Sequence, residues 1–200
     1  MVQPQVDAAG STLMKSLIQR YQQRIIEQIE LLDSAVIETL ASTLLSCARE
    51  GRKVFICGNG GSAGNAIHLA NDFLYGICPD GSKALNVEAL PANSAVITCL
   101  GNDIGYDNIF AHQLTVKAVK DDVLIVLSGS GNSPNIVNAL TEAKRLEMQS
   151  FAILGFSGGK ALSLADYAIH NDVNDMQVAE DLQLIVGHML MQYLCGELAQ

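Results

Sequence analysis

His68 and Asp72 stand four residues apart in a stretch, 63–75, whose pattern predicts a helix, so an imidazole and a carboxylate point to one side of it. A second set lies near the C-terminus. Glu180, Asp181 and His188 are seven or eight residues apart in the apolar segment 177–198, about two helical turns, and so share a face approximately. If the two helices meet, His188 with a carboxylate faces His68 with a carboxylate. Such a set can hold zinc or a similar divalent ion, or it can move protons as an acid/base pair, and the residue types suit both roles.

Two loops rich in glycine and hydroxyls offer a different chemistry. The run Cys57-Gly58-Asn59-Gly60-Gly61-Ser62 carries three glycines, which let a backbone take positive φ and approach a ligand closely. Its spacing departs from the dinucleotide fingerprint, because Ala63 stands at the last glycine position, and Glu88 is only a weak candidate for holding a ribose. The run Ser128-Gly129-Ser130-Gly131-Asn132-Ser133 offers three hydroxyls just before a helix, with Ser133 suited to the N-cap and Pro134 to the first helical position. Hydroxyls, free amides and the positive end of a helix make an anion hole without Lys or Arg. Two such loops in one chain point to a phosphate-bearing ligand.

These residues need elements to position them, and the chain supplies an alternating set. From 11 to 50 apolar residues recur at helical spacing (among them Leu17, Tyr21, Ile25, Leu40 and Leu44) with no Gly or Pro, which predicts one long helix or two in succession. That segment packs either on another chain or on its own sheet. After Gly51 come β-rich runs ending in Gly, Ser and Asn, at 53–65, 122–135 and 150–160, each a strand that turns into a loop. Residues 63–75, 104–117, 133–147 and 177–198 read as helical, with weaker strands near 84–88 and 167–170. The alternation predicts an α/β fold, a parallel sheet covered by helices on both faces, with an N-terminal helical segment at 1–50 and the sheet-bearing domain at 51–200. In an open parallel sheet ligands bind outside the carboxyl ends of the strands, where both glycine-rich loops fall.

Composition narrows the partners. The 200 residues are 49% hydrophobic and 16% charged, with mean hydropathy +0.24, enough for one domain with a buried core. Twelve Lys plus Arg against twenty-one Asp plus Glu leave a net charge of −9 and a pI near 4.7, which argues against nucleic acid as a direct partner. The five cysteines show no C-x-x-C pair and read as reduced, mostly buried thiols. The N-terminus lacks a basic region followed by an apolar run, so a cytoplasmic location is expected. The apolar stretch 182–198 is interrupted by Gln183, His188, Gln192 and Glu197, too often for a membrane span.

Taken in order, Gly58-Asn59-Gly60-Gly61-Ser62 entering a helix with His68, Gly101-Asn102-Asp103 followed by an aromatic, Ser128-Gly129-Ser130-Gly131-Asn132-Ser133, and a last helix with His188 resemble the SIS domain of phosphosugar isomerases. More narrowly, they resemble the phosphoheptose (sedoheptulose-7-phosphate) isomerases, over nearly the whole chain. The resemblance implies a three-layer, flavodoxin-like α/β sandwich and a homotetramer built partly through the N-terminal helices, with active sites near subunit interfaces. It implies an aldose–ketose isomerase that converts sedoheptulose 7-phosphate to a manno-heptose 7-phosphate for lipopolysaccharide or other surface polysaccharide. Carried over by motif, Ser62, Ser128, Ser130 and Ser133 hold the sugar phosphate with the Gly60-Gly61 backbone, and Asn59 and Asp103 contact the sugar.

The resemblance further implies that Asp72 and His188 perform the proton transfers and that zinc or another divalent cation sits among them. The chain departs from the family pattern in four places. Asp72 replaces a Glu, Glu180 a Gln, Gln183 stands where relatives often have His, and Gly129 replaces a Thr. The extra negative charge of Glu180 favours a bound cation, so His68, Asp72, Glu180 and His188 are expected to form a divalent-metal site, with Asp181 competing for the place of Glu180 on helical phase. Two other readings stay open: an isomerase for a different phosphosugar, or a non-catalytic member that senses a phosphosugar or binds a replication initiator.

Overall fold

The computed structural model describes residues 8–81 and 83–199. The long N-terminal pattern resolves into two helices, α1 (Ala8–Glu30) and α2 (Ser34–Glu50), bent by 75° where they meet. Asp33 makes the break: it is extended, and its carboxylate accepts hydrogen bonds from the Ala35 and Val36 amides, capping α2. Gly51 ends α2 in the left-handed conformation, φ 71°, that a residue with a side chain resists.

The chain then alternates as expected. β1 (Lys53–Gly58) leads to α3 (Gly61–Asn71), which continues as a π turn over Asp72–Gly76. β2 (Asn86–Ala89) and α4 (Ser94–Asp103) precede a 3-10 turn at Tyr106–Asn108 that opens α5 (Ile109–Lys117). β3 (Val123–Ser128), α6 (Pro134–Arg145), β4 (Gln149–Leu154), the short α7 (Ala161–Leu164), β5 (Tyr167–His170) and α8 (Met176–Leu198) complete the set. Helix α4 was not expected, and the helix expected over 104–117 begins at Ile109 after the tight turn.

All five strands pair in parallel in the order β2-β1-β3-β4-β5. The inner strands are nearly continuous apolar runs because both their faces are covered. On one face Val54, Ile56, Ile125 and Ile153 pack under α2, α3 and α8 through Leu44, Leu69 and Val186. On the other, Phe55, Leu124, Val126 and Ala152 pack under α5 and α6 through Phe110, Leu114, Ile136 and Leu140. The result is a three-layer α/β sandwich. Helix α2 shares the first core with the sheet, while α1 touches the rest of the fold through Tyr21 and Ile25 against the start of α8, an Arg24–Asp175 ion pair and the Gln28 carbonyl, which accepts Asn171 Nδ2 at 3.0 Å.

The connection from β1 runs to one side of the sheet and the connection into β3 returns to the other. β1 and β3 are neighbours, with Gly58 opposite Leu127, so the two glycine-rich loops open side by side at this switch in strand order. The cysteines are all free thiols, but only Cys47 and Cys57 are buried; Cys78 and Cys195 are half-buried and Cys99 is exposed, which corrects the expectation that most are buried. Among the described residues no single helix is long and apolar enough to cross a membrane.

Candidate active site

The chain leaves β1 at Gly58 and enters α3 through Asn59 and Gly60. A Cβ at Gly58 would lie 2.7 Å from the Ser62 carbonyl oxygen, and Gly60 holds φ 56°, so the tight entry into the helix depends on these glycines. Opposite it, Ser128 ends β3, and its hydroxyl accepts the Gly131 amide at 3.0 Å. Gly131 has φ 64°, and a Cβ there would lie 1.9 Å from the Gly158 carbonyl oxygen, so the second loop is locked against the turn that follows β4. Ser133 takes the N-cap position of α6 with Pro134 at its first turn, as expected, but its hydroxyl makes no capping bond.

Between the loops is a cleft of about 250 Å³ lined by Asn59, Gly60, Gly61, Ser62, Ser128, Ser130, Ser133 and Glu180. Ser62 is buried and accepts a hydrogen bond from Gln183 Nε2 at 3.0 Å, which leaves its own proton free to donate. Gln183 is held in turn by Asn65 Nδ2 at 3.0 Å. Among the described residues no Lys or Arg lines the cleft. An anion entering it meets hydroxyls, loop amides and the N-termini of α3 and α6.

The side chain of Asn59 is held by residues that the sequence did not single out for a role. It exchanges hydrogen bonds of 2.8 Å with buried Asn135, and its Oδ1 accepts the Tyr106 hydroxyl at 3.0 Å. Tyr106 is the aromatic of the Gly101-Asn102-Asp103 motif, which was its one signal in sequence. Asp103 itself is not brought to the cleft. It lies on the exposed end of α4, where it accepts hydrogen bonds from Asn102 at 2.7 Å and from the Cys99 thiol at 3.5 Å. The Asp103 carboxylate pushes the Cys99 thiol pKa up, chiefly through that hydrogen bond.

Two turns along α3 a second group converges. His68 Nε2 and His188 Nε2 are 2.9 Å apart, and Asp72 Oδ2 lies 3.4 Å from the first and 3.6 Å from the second. The imidazoles are open to solvent, 48% and 45% exposed, while Asp72 is 15% exposed and sits beneath them. These three are the described residues whose donor atoms gather as a metal would require. Donors about 2.0–2.1 Å from a tetrahedral zinc are about 3.3–3.4 Å from one another, and two imidazoles plus a carboxylate is a common zinc set that leaves a position open. The two Asp72 distances match that spacing, and the 2.9 Å between the imidazoles is shorter, so the set fits a divalent ion once the imidazoles part by about 0.4 Å.

Glu180 and Asp181 do not join this group, which corrects the four-residue expectation. The Glu180 carboxylate lies over the backbone of Gly61, with both oxygens 2.4 Å from where a Cβ would stand, and so belongs to the cleft. Asp181 accepts the Tyr21 hydroxyl at 2.5 Å, tying α8 to α1. Burial first, then this hydrogen bond, raises the Tyr21 pKa from about 10 to about 12.

Residues 19–155 match the SIS domain family model. The phosphoheptose isomerase of Nitratidesulfovibrio vulgaris is 36% identical over 159 residues, 78% of this chain and 74% of that protein. That of Aliarcobacter butzleri is 32% identical over 189 residues, 94% of this chain and 98% of that protein. The solved structure of a phosphoheptose isomerase from Francisella tularensis superposes with a TM-score of 0.82 at 30% identity, covering 92% of this chain and 96% of that one. With the family model spanning most of the sheet and relatives above 30% identity matched over 74% and 98% of their own length, the chain belongs to the SIS-domain family of phosphoheptose isomerases.

Proposed function

We propose that this chain interconverts sedoheptulose 7-phosphate and D-glycero-D-manno-heptose 7-phosphate, with the phosphate in the cleft between the two glycine-rich loops and the carbonyl end of the sugar at His68, Asp72 and His188. The observation that carries the reading is that α3 contributes to both groups, Gly61 and Ser62 at its start to the cleft and His68 two turns on to the cluster. Gly61 and His68 are separated by about 10 Å of helix axis, the reach of an extended seven-carbon sugar from its carbonyl end to its phosphate. A five-carbon sugar phosphate falls short of it.

In the ketose-to-aldose direction one proton leaves C1, the C2 oxygen is protonated to give an enediol, the C1 oxygen gives up its proton, and C2 receives one. Asp72, partly shielded beneath the imidazoles, is placed to carry the proton between C1 and C2. His188 protonates the C2 oxygen and takes the proton from the C1 oxygen. His68, in contact with both, orients them. A zinc or similar divalent ion would be held by His68, Asp72 and His188, and when bound supplies Lewis-acid polarisation of the sugar carbonyl. Both uses draw on the same atoms, so the assay needs arms with zinc and with chelator.

The same reading makes the protein a cytoplasmic homotetramer that supplies heptose for surface polysaccharide. What supports assembly is the exposed apolar row Leu13, Met14, Leu17 and Ile18 on α1. The test of the activity is NMR of sedoheptulose 7-phosphate incubated with the protein in D2O. The expected result is an aldose product, with deuterium at C2 to the extent that Asp72 exchanges its proton with solvent before returning it. Absence of product in the zinc and chelator arms alike overturns the isomerase reading and leaves a phosphosugar-binding protein.

A further inference from the structure

Glu180 sits where the cleft should least tolerate it. The donors that would hold a phosphate are neutral hydroxyls and amides, and among the described residues lining the cleft Glu180 is the one charged side chain. Its carboxylate rests on Gly61, the first residue of α3, against the positive end of the helix that an incoming anion would use. Among the described residues no cation pairs with it, and only its backbone carbonyl is engaged, by Asn65 Nδ2 at 2.9 Å. The position is built. Asp175 caps α8 through the Gln177 and Val178 amides, and one turn before Glu180 the Met176 side chain fills the space beside Gly129, where a Cβ would lie 2.6 Å from its sulfur. Any side chain larger than hydrogen at 61 would meet the carboxylate.

We propose that Glu180 is a specificity-determining residue that makes the cleft reject bare phosphate and accept phosphate esters carrying a hydroxyl on the carbon next to the ester. This rests on the cleft being the phosphate site. A carboxylate beside a bound phosphate repels it, and among the described residues lining the cleft only neutral hydroxyls, amides and helix N-termini work against that repulsion. A neighbouring hydroxyl reverses the sign, because it donates a charge-assisted hydrogen bond to Glu180 that inorganic phosphate cannot supply in the same place. Discrimination is then achieved by a repulsive element relieved only by the correct ligand.

The experiment is calorimetric titration of the full chain with inorganic phosphate, propyl phosphate, glycerol 3-phosphate and sedoheptulose 7-phosphate. The unmodified protein is expected to bind glycerol 3-phosphate about fivefold or more tighter than propyl phosphate, which differs in lacking the hydroxyls. In Glu180→Gln that preference shrinks, and inorganic phosphate binds about five- to tenfold tighter, the size of one screened charge contact in an open cleft. Equal affinity for the two esters in the unmodified protein overturns the proposal whether or not the variant folds. So does inorganic phosphate binding that is unchanged or weaker in Glu180→Gln. The phosphate reading fails separately, if Ser130→Ala and Ser133→Ala leave every one of these affinities unchanged.

Discussion

A carboxylate oxygen 3.4 Å from one imidazole nitrogen and 3.6 Å from another can pass a proton with little movement. Asp72→Asn keeps the shape and removes the base, and is expected to lower kcat for sedoheptulose 7-phosphate by about 10²-fold or more while the phosphosugar still binds. Asp72→Glu restores a carboxylate on a longer stem and is expected to retain more turnover than Asp72→Asn. Equal loss in both variants would remove Asp72 from the proton transfer. The pair His68 and Asp72 was legible in sequence because a spacing of four on a helix fixes a shared side. Glu180 was not, since helical phase places a residue on a face but says nothing of what stands opposite. What stands opposite is Gly61, whose missing side chain lets the carboxylate settle at the cleft rather than beside His188.

Elements rather than side chains determine where the loops open. Gly131 combines φ 64° with a Cβ position 1.9 Å from a carbonyl oxygen, so Gly131→Ala is expected to cost about 2 kcal/mol or more in chemical denaturation and to weaken phosphosugar binding. The junction of α1 with α8 has a pH signature. Tyr21 is held neutral in the fold, its pKa raised from about 10 to about 12 by burial and Asp181, so the stability it contributes is present below pH 10 and lost as pH rises toward 12. Thermal unfolding of Tyr21→Phe should therefore differ most from the unmodified protein below pH 10, with the gap closing between pH 10 and 12. A gap that is constant across that range would place the Tyr21 effect in packing alone. At this scale β5 is legible from Tyr167 to His170 as a short β-rich run, whereas α4 is not. Helix α4 starts at a cap made by Asn93 and buries none of its residues fully, so it leaves no apolar period in the sequence to find.

For the molecule as a whole, the alternation of strands and helices after Gly51 carried the sandwich, because inner strands covered on both faces must be apolar runs and their crossovers must be helices. The meeting of α3 with α8 followed from that layering only once both helices were known to cover the same face of the sheet. The proposed assembly is less legible, since an exposed apolar row favours burial without saying against what. Replacing Leu17 with Glu and Ile18 with Lys on α1 is expected to shift the species seen by light scattering from several chains to one. An unchanged mass would place the interface elsewhere. The central claim, that an anion cleft and a proton-transfer cluster serve one substrate, is tested most directly by measuring melting temperature and turnover together for Ser130→Ala and His188→Ala with sedoheptulose 7-phosphate. The account predicts that the serine variant loses most of the stabilisation by ligand, and that the histidine variant keeps it while losing turnover. Turnover in His188→Ala equal to that of the unmodified protein would contradict it.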